Sequence, residues 1–221
     1  MKVLKFGGTS VGSVISILNL KKIVEAEAQQ GPVVVVVSAL DGITDKLIAT
    51  SRLALRGEKQ WRTEFDAIVA RHHEMIDTII ADEVRRGELK DKLDALFEQL
   101  RSIYYGVYLI HDLSKKTEDA IVSYGERLSS HIVATLVDGG VRMNSRDFIR
   151  TEKTMVNANR QQGRHVLDAE LTQQLVKEAF APVCCCTTAT NGTNATVAVV
   201  PGFIARDRDS HETTNLGRGG S

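Results

Sequence analysis

The sequence predicts an α/β fold built on a parallel sheet covered on both faces, and three observations carry that prediction. Residues 3–38 read strand, glycine turn, helix, strand, which is a βαβ unit. The second strand is an unbroken β-branched run, Val33 to Val37, of the kind buried on both faces. Helical periodicities and short apolar runs then share the rest of the chain.

The elements follow in order. Val3 to Phe6 is the first strand. Gly7-Gly8-Thr9-Ser10 is a turn with helix-capping chemistry. Val14, Leu18, Ile23 and Val24 predict one face of a helix running to about Gln30. Gly31-Pro32 ends it, and Val33 to Ser38 is the second strand. Thr44 to Leu55 and Trp61 to Ile80 are two helices. Leu89, Leu93, Leu96, Phe97, Leu100 and Ile103 mark a third, with its stripe facing the core. Thr117 to Val137 reads as one helix closed by Gly139-Gly140. Val141 to Asp147 reads as a strand, and Asp168 to Phe180 as a helix with Leu171, Leu175 and Val176 inward. Thr187 to Asn194 is loop chemistry. Val197 to Val200 is a strand broken by Pro201-Gly202. Phe203 to Ala205 and Thr213 to Leu216 flank a charged turn, as in a hairpin.

Composition narrows the function classes. The 221 residues are 43% hydrophobic and 25% charged, enough for a real core. Lys+Arg and Asp+Glu are both 28, so the basic footprint of a nucleic-acid binder is missing. No apolar run approaches the roughly 20 residues of a membrane helix. Lys5 and the glycines interrupt any signal-peptide core. A cytoplasmic protein without nucleic-acid or membrane partners is expected. Cys184-Cys185-Cys186 cannot build a disulfide framework and reads as reduced thiols in or beside a strand. Two glycosylation patterns, at Asn191 and Asn194, would go unused in the cytosol. His72-His73-Glu74 lacks the spacing of a helical zinc site and reads as a solvated face, so no metal ligands are assigned.

Four constellations can carry chemistry. Lys5-Phe6-Gly7-Gly8-Thr9-Ser10 sits at a strand end and opens a helix. Paired glycines let backbone N–H groups approach an anion, and the lysine supplies a point charge for a phosphoryl oxygen. A plain strand-to-helix turn fits the same spacing. Ser38 to Thr44 follows the second strand on the same edge of the sheet, where α/β ligands bind; Thr44 or a neighbour could equally cap the next helix. In Ser123-Tyr124-Gly125-Glu126-Arg127, Glu126 is either solvent-facing or aimed at a ligand ammonium, with Gly125 leaving room. Arg218 in Gly217-Arg218-Gly219-Gly220-Ser221 suits bidentate capture of a carboxylate, or lies in a flexible tail.

Taken together, these motifs resemble the aspartokinase family from Met1 to Ser221. The matching segments are Lys-Phe-Gly-Gly-Thr-Ser, Ser-Ala-x-x-Gly-Ile-Thr, Ser-Tyr-Gly-Glu-Arg-Leu-Ser-Ser, Asp147 before Phe148-Ile149-Arg150-Thr151, Pro-Gly-Phe-Ile-Ala and Thr-Asn-Leu-Gly-Arg-Gly-Gly-Ser. The long helical stretch also resembles the kinase half of bifunctional aspartokinase/homoserine dehydrogenases. The resemblance implies the amino-acid kinase fold, a three-layer αβα sandwich with a mainly parallel sheet. It implies transfer of the ATP γ-phosphoryl group to the side-chain carboxylate of L-aspartate, giving 4-phospho-L-aspartate, with Mg²⁺, at the start of lysine, threonine and methionine biosynthesis. By that resemblance Lys5 stabilises the transferring phosphoryl group, and Lys5, Phe6, Gly7 and Gly8 contact ATP. Thr44, Glu126, Arg218 and Ser221 hold aspartate, the glutamate facing the ammonium and the arginine the α-carboxylate. Residues 1–221 correspond to the N-terminal portion of one such domain. By that correspondence the nucleotide-binding half, the ACT domains and any dehydrogenase are expected to lie outside these residues, so that the chain alone is expected to be inactive; the resemblance also implies a homo-oligomeric parent. Acetylglutamate or glutamate 5-kinase, or an inactive aspartate-binding fragment, are the competing readings.

Overall fold

The computed structural model describes residues 1–153, 165–185 and 197–216, the side chains of 182–185 excepted. Four parallel strands form the central sheet in the order β1 (Lys2–Phe6), β2 (Val33–Val37), β6 (Val197–Pro201), β3 (Gly140–Arg142). Alternate residues of the valine strand enter different cores. Val33, Val35 and Val37 join the larger one, beneath α2 (Val14–Ala28) and α7 (Tyr124–Leu136). Val34 joins Ala198, Val200, Phe148 and Phe180 on the other face, where α8 (Ala169–Cys185) packs Leu175 and Val176. This is the three-layer αβα sandwich, and burial on both faces explains why the strand reads as one apolar run. An apolar cavity of about 290 Å³ opens on the second face between Val3, Val36, Phe148 and Phe203.

A helical layer lies outside α2 and α7. It comprises α3 (Ile43–Leu55), α4 (Trp61–Ile79) and α5 (Glu83–Ile110). Trp61, Phe65, Phe97 and Tyr104 are all buried there, with ring centroids about 6 Å apart. Tyr104 Oη donates to the Leu47 carbonyl at 3.0 Å, which ties α5 to α3.

Several expectations need correction. A one-turn helix, α1 (Gly8–Val11), precedes α2, and Ser13 caps α2 by accepting from Ser16 N. That start sets the buried stripe to Ile17, Leu20, Val24 and Ala28, leaving Leu18 and Ile23 outside. The helix expected over 117–137 is two, α6 (Lys115–Val122) and α7, divided at Ser123, whose hydroxyl turns back to the Ala120 carbonyl at 2.6 Å. Strand β3 stops at Arg142 because Asn144 accepts from Arg146 N and caps a 3-10 turn, Ser145–Asp147. His72 is buried rather than solvated: it bonds the Ile68 carbonyl through Nδ1, meets the Phe97 ring edge-on, and burial pushes it down to about 4. Cys184 and Cys185 close a helix, not a strand. Cys186 and the 187–194 loop lie outside the described residues.

A second, mixed sheet was not foreseen: β5 (His165–Leu167), β4 (Arg150–Lys153), β7 (Ile204–Asp207), β8 (Thr213–Asn215). The β7–β8 hairpin is as expected, antiparallel across a charged turn.

Candidate active site

The site assembles where β1, β2 and α7 meet at the carboxyl edge of the sheet. In β1, Leu4 and Phe6 pack toward the larger core, so alternation places Lys5 on the opposite face, level with Val36. Lys5 is exposed. Gly7 is extended at φ −74°, and its carbonyl accepts from Ser10 N at 2.9 Å as α1 begins. A Cβ on Gly7 would meet nothing within 4 Å, so that side of the backbone is open to a ligand. A Cβ on Gly8 would touch the Ala39 carbonyl at 3.4 Å, and one on Gly12 would lie 2.4 Å from Asp41 Cβ. Gly12, which sequence reasoning passed over, is therefore the glycine that lets the two loops close on each other.

The second loop leaves β2 with Ser38 N donating to the Phe6 carbonyl at 3.1 Å. The Ser38 carbonyl accepts from Ser129 Oγ at 2.7 Å. Gly42 adopts a left-handed φ of 72° at the start of α3, a conformation glycine takes without strain. No side chain caps α3, so Thr44 is not a cap; it lies half-buried in the first turn.

Glu126 occupies the first turn of α7 and is 4% exposed. Its Oε1 accepts from Ala39 N at 3.4 Å, while Oε2 is buried with no hydrogen-bond partner. Burial pushes the carboxyl up to about 7, against hydrogen bonds from its own backbone and from Ala39. A buried, half-satisfied carboxylate is costly unless a donor or cation completes it. The solvent-facing alternative is thereby removed. Gly125 permits the approach, because a Cβ there would stand 2.6 Å from Ala39 Cβ. Gly125→Ala is expected to destabilise the chain by about 1–3 kcal/mol through overpacking, seen as a lower Tm. An unchanged Tm would show that the loop yields freely.

Arg218 and Ser221 lie outside the described residues. The strand leading toward them is anchored: Asn215 Nδ2 donates to Asp119 Oδ1 at 3.0 Å and to the Asp119 carbonyl at 3.3 Å. Sequence reasoning missed Asp119, and it noted Ser129 only within the Ser-Tyr-Gly-Glu-Arg-Leu-Ser-Ser segment, without its bond to the Ser38 carbonyl.

A family model described as the amino acid kinase family matches residues 1–221. The chain belongs to the amino acid kinase family. An aspartokinase of Chlamydia trachomatis is 30% identical over 99% of this chain and 43% of its own length. Aspartokinase 1, chloroplastic, of Arabidopsis thaliana is 25% identical over 99% of this chain and 36% of its own. Among solved structures, E. coli aspartokinase III in complex with aspartate and ADP superposes with a TM-score of 0.77 at 24% identity, covering all of this chain and 44% of that one. The likeness to that structure establishes the fold. The chain thus spans less than half the length of these relatives.

Proposed function

We propose that residues 1–221 form the acceptor-binding part of an aspartate kinase, in which ATP phosphorylates the side-chain carboxylate of L-aspartate. The observation that carries this reading is Glu126, a buried carboxylate with one unpartnered oxygen beside the two strand-end loops. Such a group suits an α-ammonium, which brings charge and N–H donors together.

The reaction asks for positioning and charge stabilisation rather than a base, since a side-chain carboxylate is already ionised at neutral pH. In this reading Glu126 orients the amino acid and Thr44 lies on the same loop edge. Arg218 captures the α-carboxylate, with Ser221 beside it. Lys5 holds positive charge near the transferring phosphoryl oxygens. The open backbone at Gly7 and the start of α1 fit the approach of nucleotide phosphates. Among the described residues no cluster of three His, Cys, Asp or Glu side chains forms a metal cage. In this reading Mg²⁺ would be held mainly by phosphates and water and would neutralise charge on them. A cytoplasmic setting, a homo-oligomeric parent and a role in lysine and threonine biosynthesis belong to the same proposal. Among the described residues no helix is long and apolar enough to cross a membrane.

The test is a panel of L-aspartate, L-glutamate and N-acetyl-L-glutamate with MgATP, followed by ADP release on the intact protein that contains residues 1–221. L-Aspartate is expected to be preferred by at least about tenfold in kcat/KM, the least that a misplaced methylene costs. Preference for either glutamate compound would replace aspartate as the acceptor. Binding of aspartate without turnover would leave a binding module.

A further inference from the structure

A second charged cluster lies on the same edge of the sheet, toward β3. Arg127 comes from α7, Arg142 from the end of β3, and Arg146 from the 3-10 turn that follows. All three are half-buried. Arg142 Nε donates to Ser130 Oγ at 2.9 Å, and Ser130 Oγ donates to the Arg127 carbonyl at 2.9 Å, which links two of them. Arg146 is held by Asn144 Oδ1 at 3.1 Å and Thr213 Oγ1 at 3.2 Å. Arg127 stacks over the Tyr124 ring at 4.1 Å and reaches Gln99 Oε1 at 3.5 Å.

These are contacts to neutral groups. None of the three makes an ion pair among the described residues. The nearby acid, Asp147, is mostly exposed and pairs with Arg206 at 3.9 Å. Arg150 adds a further positive charge, and its guanidinium bonds the Arg146 and Asp147 carbonyls. Burial and mutual repulsion act on this cluster in the same direction. Burial, then Arg127 and Arg146, push Arg142 down to about 10. Burial, then Arg142, Lys92 and Arg127, push His131 down to about 4, so it stays neutral there. In a chain with 28 basic and 28 acidic residues, this local excess is not a by-product of overall charge. Asp147 offsets the charge of Arg142 and Arg146 only in part, and half-buried cations so weakly compensated are costly, a cost that an added anion removes. Planar guanidinium forks match the oxygens of a phosphate-class ion.

We propose that Arg127, Arg142 and Arg146 form a second anion site that takes a free phosphate or sulfate. At about 4.8 Å per strand, the end of β3 lies two strands, about 10 Å, from β2 and three, about 14 Å, from Lys5. Arg142 and Arg146 therefore lie apart from the Lys5–Gly8 turn, while Arg127 follows Glu126 in α7.

The test is thermal melting of the full chain at fixed ionic strength, with chloride exchanged for inorganic phosphate and, in parallel, sulfate. Phosphate at tenfold its Kd is expected to raise Tm by about 3–5 °C. R142Q/R146Q is expected to abolish the rise. R62Q/R101Q, with the same charge change on the outer helical layer, is expected to keep it, as is Glu126→Gln, whatever becomes of the aspartate reading. Without anion, R142Q/R146Q is expected to melt no lower than the unsubstituted chain, because repulsion is relieved. If it fails to melt cooperatively, R127Q carries the test, since among the described residues that side chain makes only one long hydrogen bond and a stack on Tyr124, and it must lose at least about half the rise. No rise in the unsubstituted chain, or an equal rise in R142Q/R146Q, overturns the proposal.

Discussion

Lys5→Ala is expected to lower kcat for aspartate phosphorylation by roughly 10²-fold or more, with the KM for aspartate nearly unchanged. The figure is that of removing one preorganised charge donor aimed where negative charge develops. The exposed side chain leaves no cavity on truncation, so a folding defect does not explain a loss of this size. The split between kcat and KM is the informative part, because a group that serves only the transition state leaves ground-state binding alone. Steady-state kinetics on the intact protein measure it, and a kcat within about threefold of normal would remove Lys5 from the phosphoryl site.

Glu126→Gln is expected to weaken aspartate binding by about 1.5–3 kcal/mol, roughly 10- to 150-fold, while ATP affinity holds. Calorimetric titration of each ligand separates the two, and equal losses would signal misfolding instead. The same carboxyl predicts two opposite pH dependences. It must be ionised to meet an ammonium, so aspartate affinity falls as pH drops through about 7. Folding runs the other way. Burial lifts Glu126 from its ordinary 4.5 to about 7, so the folded chain keeps a proton that the unfolded chain has released. The resulting stability is complete below about pH 4.5 and is lost as pH rises through 7, and the gap is worth about 3 kcal/mol. Glu126→Gln is expected to flatten both curves. A variant that keeps the full pH dependence of binding would assign it to another group.

The parallel sheet, the first two loops and the hairpin were legible because each has a strong local signal. Five consecutive valines, paired glycines after a strand, and a charged turn between short apolar runs need little tertiary context. Elements shaped by distant contacts were less legible. The break at Ser123 depends on a side-chain bond and on α7 seating against Ala39, and periodicity cannot see either. The three-residue strand β5 is too short to show alternation, and β4 reads Arg-Thr-Glu-Lys, polar enough to pass for a loop. His72 looked solvated amid charged neighbours, but Phe97 covers it from α5. At the site, residue types revealed Lys5, Gly7 and Glu126 as candidates. They did not reveal the unpartnered Oε2, which is a property of packing alone.

One consequence of the helical layer concerns leverage. Helix α3 begins at the Gly42 turn beside the site and ends among the outer helices, with Tyr104 fastened to it at Leu47. Its 13 residues make a rod about 20 Å long. Tilting such a rod by about 3° about its far end displaces the near end by about 1 Å, a misplacement large enough to cost 10²-fold in rate. If Thr44 serves the site as proposed, packing in the outer helical layer, where Tyr104 is fastened to α3, is expected to influence how that residue is aimed.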